Sequence, residues 1–257
     1  MSVPVTQGSA ALLGAVLRAD GLLVSDRSVG RILREADLQP HRQAMWMTSQ
    51  DDDFRDKRDD VLRVYYHTPA REHVICLDEM TGIQALERAH PDLPMEPGRP
   101  VRREFEYVRH GTQCLMGAYD VRRGKLFGFV ADKRGTEAFL ALLEHVDACY
   151  PEGNGHLVCD NLAEHVSDEV AEWLEEHPRW TLHTTPKHAS WLNQIECAFS
   201  LVARHVVRRG SFRSKEELRL ALEADMLWYN EHGRPFHWTY RPKSWDRKPA
   251  RTSGGRH

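Results

Sequence analysis

The sequence predicts an α/β protein, a mixed sheet flanked by helices, preceded by a small helical segment. Apolar runs of strand length at 74–78, 113–121, 125–131, 156–159 and 180–184 alternate with stretches of helical periodicity at 136–150, 164–177, 192–207 and 215–229. Before residue 72 the pattern is helical throughout. The resulting order of strand, hairpin, helix, strand, helix, strand, helix fits one sheet with helices packed on it.

Taken in order, residues 10–18 read as a short helix ended by Asp20-Gly21. Ser25 is a good N-cap for a second helix over 26–36. There Val29, Ile32, Leu33 and Ala36 would form the apolar face, while Arg27, Arg31 and Arg34 recur at i, i+4 and i+7 as a basic stripe. Helix, short turn, basic helix is the layout of a helix-turn-helix reading head, although a solvated helix has the same pattern. Residues 48–60 are highly charged and run into Val-Leu-Arg-Val-Tyr-Tyr, a linker turning into a helix with Ser49 or an early Asp as cap. Four prolines and a glycine in 90–100 make a loop or flap. Arg122-Arg123-Gly124 joins two strand-like runs as a hairpin. In 136–150, Phe139, Leu140, Leu142, Leu143 and Val146 point inward. The expected divisions are 1–45, a partial helix-turn-helix region; 46–71, a charged helical linker; 72–232, the α/β domain; and 233–257, a basic tail.

Composition narrows the class. The 257 residues can hold one full core and a small module, and 41% hydrophobic with 28% charged content is ordinary for a globular chain. No apolar run reaches the length of a membrane span, and the N-terminus has no basic region followed by an apolar stretch, so a cytoplasmic protein is expected. Five cysteines without a Cys-x-x-Cys pair suggest neither a zinc site nor a disulfide framework. Residues 71–200 carry 13 Lys and Arg against 22 Asp and Glu, whereas 201–257 carry 13 against 6. An acidic middle that could hold metal and a basic end that could meet phosphate suit a nucleic-acid enzyme. In that end Arg204, Arg208, Arg209 and Arg213, followed by Trp238 to Trp245, could line a phosphate backbone or dock the last helix.

Asp78 and Asp160 each follow an apolar run, which places a carboxylate at the end of a rigid strand. Either alone could be a cap or turn residue. Glu196 flanks the stripe Leu192, Ile195, Phe199, Val202 and Val206, so packing that stripe on the sheet would aim Glu196 at the sheet's rim. Carboxylates against a core are costly unless compensated, and divalent cations compensate them. Two strand-end aspartates with a helical glutamate suit a pair of Mg²⁺ ions roughly 4 Å apart acting on phosphodiester bonds. Glu79 would face the other side of its strand and so lie outside the ligand set.

Four ordered motifs carry a resemblance: Cys-Leu-Asp-Glu-Met-Thr-Gly-Ile-Gln-Ala-Leu-Glu-Arg, Arg-Arg-Glu-Phe-Glu-Tyr-Val-Arg-His-Gly-Thr, Cys-Asp-Asn-Leu and Ser-Trp-Leu-Asn-Gln-Ile-Glu. Together they resemble the bacterial insertion-sequence transposases related to mariner elements. The 35 residues between Asp160 and Glu196 match that family's spacing. The resemblance implies an RNase H-like domain with Asp78, Asp160 and Glu196 as catalytic metal ligands. It also implies Mg²⁺ or Mn²⁺, cleavage at the terminal inverted repeats of an element, strand transfer into TA-containing double-stranded DNA, and a homodimer acting on the bacterial nucleoid. Asn161, His165, Trp191 and Asn193 match motif neighbours, as candidates for supporting the ligands or approaching DNA. Trp191 could equally be core, and His165 and His188 read more readily as polar surface residues. Arg27, Arg31, Arg34, Arg208 and Arg209 are the expected DNA contacts. Met80 and Ala189 depart from the family's usual lysine and glycine. A truncated transposase that binds DNA without moving it, and an RNase H-like nuclease without strand transfer, are the alternatives.

Overall fold

A computed structural model of the chain describes residues 8–40, 51–242 and 245. The chain forms two compact units, Met1–Thr48 and Ser49–His257.

The first unit holds helices α1 (Ala10–Ala19) and α2 (Asp26–Glu35). Both are capped by serine: Ser9 Oγ accepts from the Leu12 N–H, and Ser25 Oγ from the Ser28 N–H. Arg18 joins Asp26 at 2.8 Å, tying the end of α1 to the start of α2. Of the apolar face expected on α2, Val29 is buried, but Ile32 and Ala36 are exposed. Two ten-residue helices bury only the residues where they touch, so the stripe is covered in part. Arg27, Arg31 and Arg34 are exposed.

The second unit begins with α3 (Phe54–His67). Asp53 takes its N-cap position; Ser49, the other expected cap, lies outside the described residues. The segment expected as a charged helical linker contributes Val61, Leu62 and Val64 to the core, because its dense charge run gives way after Asp60 to Val-Leu-Arg-Val-Tyr-Tyr.

The sheet contains β1 (His73–Arg88), β2 (Tyr107–Asp120), β3 (Lys125–Ala131), β4 (Gly155–Cys159) and β5 (Trp180–Thr184) in the order β3-β2-β1-β4-β5. The β1–β2 and β2–β3 pairs are antiparallel, while β1–β4 and β4–β5 are parallel, so the sheet is mixed as the sequence predicts. Strand β1 has 16 residues where five were expected, and β2 starts six residues earlier than expected. Their outer halves mix apolar residues such as Ile83 and Ala85 with polar ones and have no continuous apolar run, so the search for such runs misses them. Two register shifts, at Met80/Ile83 and Gln84/Leu86, bend this ribbon, and Gly82 supplies a φ of 67° at the first. The proline-rich segment forms the expected connection between β1 and β2.

Alternation divides the strands between two layers. Val74, Cys76 and Val158 face a core shared with α3, α6 (Ile195–Val202) and α7 (Lys215–His232). Ile75, Leu77, Leu157 and Cys159 face α4 (Thr136–Cys149) and α5 (Asp168–Glu176). Two expected helices are broken. The stretch 164–177 has a 3₁₀ turn at Ala163–His165 before α5. The stretch 192–207 has a 3₁₀ turn at Ser190–Leu192, then α6, then a π-helical turn at Ala203–Val207 whose i→i+5 bond runs from the Arg208 N–H to the Ala203 carbonyl at 2.8 Å. Among the described residues no helix is long and apolar enough to cross a membrane. Cys76, Cys114 and Cys159 are buried and all five cysteines are free.

Candidate active site

Strand register settles what linear order leaves open. Cys76 pairs with Val158 in the parallel β1–β4 ladder. Two residues further on, Asp78 and Asp160 therefore lie side by side on the same face. Asp160 does follow the end of β4, but Asp78 stands inside β1 and not at its end, because the strand continues to Arg88 along β2. Helix α6 packs on that face through Ile195, Ala198, Phe199 and Val202, and its second residue is Glu196. Gly117 allows the helix to come this close. It pairs with Asp78 across β1–β2, and a Cβ there would stand 2.7 Å from the Phe199 ring and 3.0 Å from Ile195 Cδ1. The three acids line one cleft of about 420 Å³ with Glu79, Arg134, Ser190 and Arg208.

Each aspartate has one carboxylate oxygen held by the protein. Asp78 Oδ1 accepts from the Glu79 N–H at 2.8 Å. Asp160 Oδ1 accepts from the Leu162 N–H at 3.1 Å and lies 2.8 Å from His165 Nδ1. That second contact is charge against charge, because Nδ1 has no acceptor along its hydrogen-bonding direction. Asp78 is 8% exposed. Burial, reinforced by the charges of Asp160, Glu79 and Glu196, pushes its carboxyl up to about 7 despite the opposing Glu79 N–H. Burial and the Asp160 charge also raise Glu196, against a hydrogen bond from Ser190. Asp160 moves the other way. Burial opposes its charge, but His165, the Leu162 N–H and Arg134 together lower its pKa.

His165 is 1% exposed, which corrects the surface reading. It stacks on Phe139 with ring centroids 4.1 Å apart, and its Nε2 meets Glu79 Oε2 at 3.0 Å. Burial disfavours its charge, but Asp160, Cys159 and Glu79 outweigh that and push it up to about 12. Glu79 does turn to the α4 side, as alternation requires, where Arg134 also reaches it at 3.3 Å. Sequence reasoning passed over Arg134, which follows β3 in a segment without a motif.

The other predicted residues divide. Asn193 is fully buried and donates from Nδ2 to the Leu77 carbonyl at 2.8 Å, while Tyr65 donates to the Leu192 carbonyl at 2.8 Å. Both bonds tie the approach to α6 onto the body of the unit. Asn161 donates to the Thr185 carbonyl at 3.1 Å, linking the segments that leave β4 and β5. Trp191 is 46% exposed, with Tyr240 edge-on at 4.7 Å, so it is not core. His188 is exposed, as expected. Arg208 lines the cleft; Arg209 does not. Arg27, Arg31 and Arg34 belong to the other unit. Trp238 packs edge-on against Tyr65 at 5.7 Å, and Arg241 lies 4.6 Å over the Tyr66 ring, so this part of the tail docks on α3. Residues 246–257 of the expected basic tail lie outside the described residues.

Oxygen-only ligands of this kind fit a hard divalent cation. Among the described residues no three His, Cys, Asp or Glu side chains close on a single point able to hold one ion. The acids instead spread along a cleft, each offering oxygens the protein has not engaged.

Comparison with known proteins places this geometry. A family profile described as DDE superfamily endonuclease matches residues 73–219, more than half of the chain. An 83-residue stretch is 29% identical to the insertion element IS630 uncharacterized 39 kDa protein of Shigella sonnei; it covers 32% of this chain and only 24% of that protein. Among solved structures, the Mos1 strand transfer complex matches with a TM-score of 0.57 at 15% identity, over 96% of this chain and 78% of that one. The Mos1 transposase paired-end complex with left transposon end matches at 0.55 and 16%, over 91% and 78%. The catalytic domain of Mos1 mariner transposase matches at 0.50 and 12%, over 76% and 93%. At these identities the likeness is one of fold, and it agrees with the RNase H-like sheet expected from the motifs.

Proposed function

The chain belongs to the DDE superfamily endonuclease family, and from that premise we propose that it is a DNA transposase, cutting phosphodiester bonds at the ends of a mobile element and joining the freed ends to target DNA. The observation that carries this reading is the convergence of Asp78, Asp160 and Glu196 on one cleft from within β1, from just past the end of the adjacent β4 and from a helix. The relatives support it: the matched structures are named as Mos1 complexes with a transposon end and in strand transfer, and others of that transposase as complexes with Mg and with Mn.

Asp78, Asp160 and Glu196 are the residues that would hold Mg²⁺, two ions in this reading, with Mn²⁺ able to substitute. Bound there, the cations would lower the pKa of an attacking water or 3′-hydroxyl and stabilise the leaving oxygen. The rest falls to the protein. The Glu79 N–H and the Leu162 N–H each fix one oxygen of the two aspartates, which leaves the other for the cleft. Ser190 lines the cleft with Glu196 and opposes the rise in its pKa. Arg208, at the cleft wall, supplies a positive charge where the scissile phosphate would lie. Asn161, Asn193 and Tyr65 hold the loops that carry these groups.

The exposed stripe Arg27, Arg31 and Arg34 on α2 supports a helix-turn-helix unit that grips the DNA backbone at terminal inverted repeats. Action as a homodimer on paired ends, TA-containing targets and a place in the cytoplasm on the nucleoid complete the proposal. A product assay tests it. Incubation with element-end duplex, target plasmid and Mg²⁺ should give joined molecules, and Asp78→Asn, Asp160→Asn and Glu196→Gln should each reduce cutting to background. Nicks without joined products would identify a nuclease, and undiminished cutting by any variant would remove that residue from the site.

A further inference from the structure

The active-site cleft is lined by four carboxylates, those of Asp78, Glu79, Asp160 and Glu196, against two guanidinium groups, Arg134 and Arg208, so its fixed charge is on balance acidic. A second hollow of about 480 Å³ has the opposite character. Its floor is the end of β1, with Glu87 and Arg88; the proline-rich strap gives one wall through Asp92 and Arg103, and the loop after the π-helical turn gives the other through Arg209 and Arg213. Four arginines thus face two carboxylates, and both carboxylates already have partners. Asp92 holds Arg103 at 3.2 Å, and Glu87 holds His110 at 2.8 Å and the largely exposed Arg213 at 3.8 Å.

The groove is built rather than incidental. Arg103 donates to the carbonyls of Arg208 at 3.0 Å and Arg209 at 2.7 Å, which fixes the backbone between the two hollows. The Phe212 N–H donates to the Leu86 carbonyl at 2.7 Å, and Ser211 Oγ accepts from the Arg88 N–H at 3.0 Å, so the loop is pinned to β1. Gly210 lets it turn this tightly, since a Cβ there would stand 2.1 Å from the Phe212 ring. Two features are left open. Nε of Arg88 is buried without a hydrogen-bond partner, and the Arg209 side chain has no carboxylate partner among the described residues. Consecutive residues join the hollows, because Arg208 lines the acidic cleft and Arg209 the basic one.

We propose that this groove binds the sugar-phosphate backbone of DNA beside the active-site cleft, with Arg88, Arg209 and Arg213 as phosphate contacts. The inference rests on the reading of the cleft as a DNA-cutting site. It gives the protein a hold on DNA that needs no cation, next to a cleft whose carboxylates outnumber its arginines.

The test is fluorescence anisotropy with a labelled random-sequence duplex and the full chain in EDTA, over a range of salt. R209E and R213E are compared with R71E, which makes the same charge change at the far end of β1. The groove requires R209E and R213E each to weaken binding about tenfold and to lower the salt slope by about 1, with R71E doing neither. Calorimetric Mn²⁺ binding at the cleft should be unaltered in both groove variants, which guards against misfolding. Groove variants that bind like the parent, or an R71E effect as large as theirs, would overturn the proposal. A parent protein that binds DNA through the groove but never cuts it with Mg²⁺ would leave the groove standing and refute the cleavage reading instead.

Discussion

Nδ1 of His165 stands 2.8 Å from Oδ1 of Asp160, while the other nitrogen of the same ring meets Glu79 at 3.0 Å. One buried imidazole therefore joins a candidate metal ligand on one face of the sheet to a buried carboxylate on the other. Outer partners of this kind usually change metal affinity by about 10–100-fold when removed. We expect His165→Asn to raise the Mg²⁺ concentration for half-maximal cleavage by about that factor, and to weaken Mn²⁺ binding without DNA. Saturating Mn²⁺ should recover most of the rate, whereas a purely structural defect would lower the rate at every metal concentration. Glu79→Gln, which keeps the shape and removes the charge, should shift the metal requirement in the same direction.

Asp78 makes the metal-free protein sensitive to pH. Its carboxyl has a pKa of about 7 in the folded chain against an ordinary 3.8. The folded state therefore binds more protons than the unfolded state between these values. This contribution to stability is fully present below pH 3.8 and is lost as the pH rises through about 7, to a total of at most about 4 kcal/mol. Denaturant melts in EDTA should show wild type losing stability relative to Asp78→Asn from about pH 4 to about pH 7. Added Mg²⁺ should oppose the loss. Parallel pH curves for the two proteins would show that Asp78 does not carry this burden.

Gly117 and Phe199 set how closely α6 lies over the β1–β2 pair. An added Cβ at Gly117 would stand 2.7 Å from the Phe199 ring. Overpacking of this kind costs about 1–3 kcal/mol. Gly117→Ala should lower the melting temperature and, by lifting α6, reduce cleavage through misplacement of Glu196. Adding Phe199→Leu should restore part of both. A Gly117→Ala protein with unchanged stability and cleavage would show that α6 has slack at this point.

On α2, charge reversal of Arg31 and Arg34 should weaken binding to duplex DNA and reduce the salt slope by about 2, since each lost phosphate contact removes about 0.9. Asp78, Asp160 and Glu196 are untouched, so Mn²⁺ binding should not change. An unaltered slope would mean that this stripe meets only solvent.

The sequence by itself determined the element types of the α/β unit and the mixed sheet, because apolar runs and helical stripes report burial directly. Spacing within an ordered set of motifs identified the family without any contact being known. What it could not supply were the long outer halves of β1 and β2, since residues such as Ile83 and Ala85 are interrupted by polar neighbours and make no continuous apolar run. It also missed the burial of His165 and the part played by Arg134, because each is held by charge partners from other segments rather than by neighbours in sequence. Only the tertiary structure decided that Asp78 and Asp160 lie side by side, through the Cys76–Val158 register, and that a basic groove adjoins the acidic cleft. Periodicity is a local property of the chain, whereas register and charge pairing exist only after segments far apart in sequence have met.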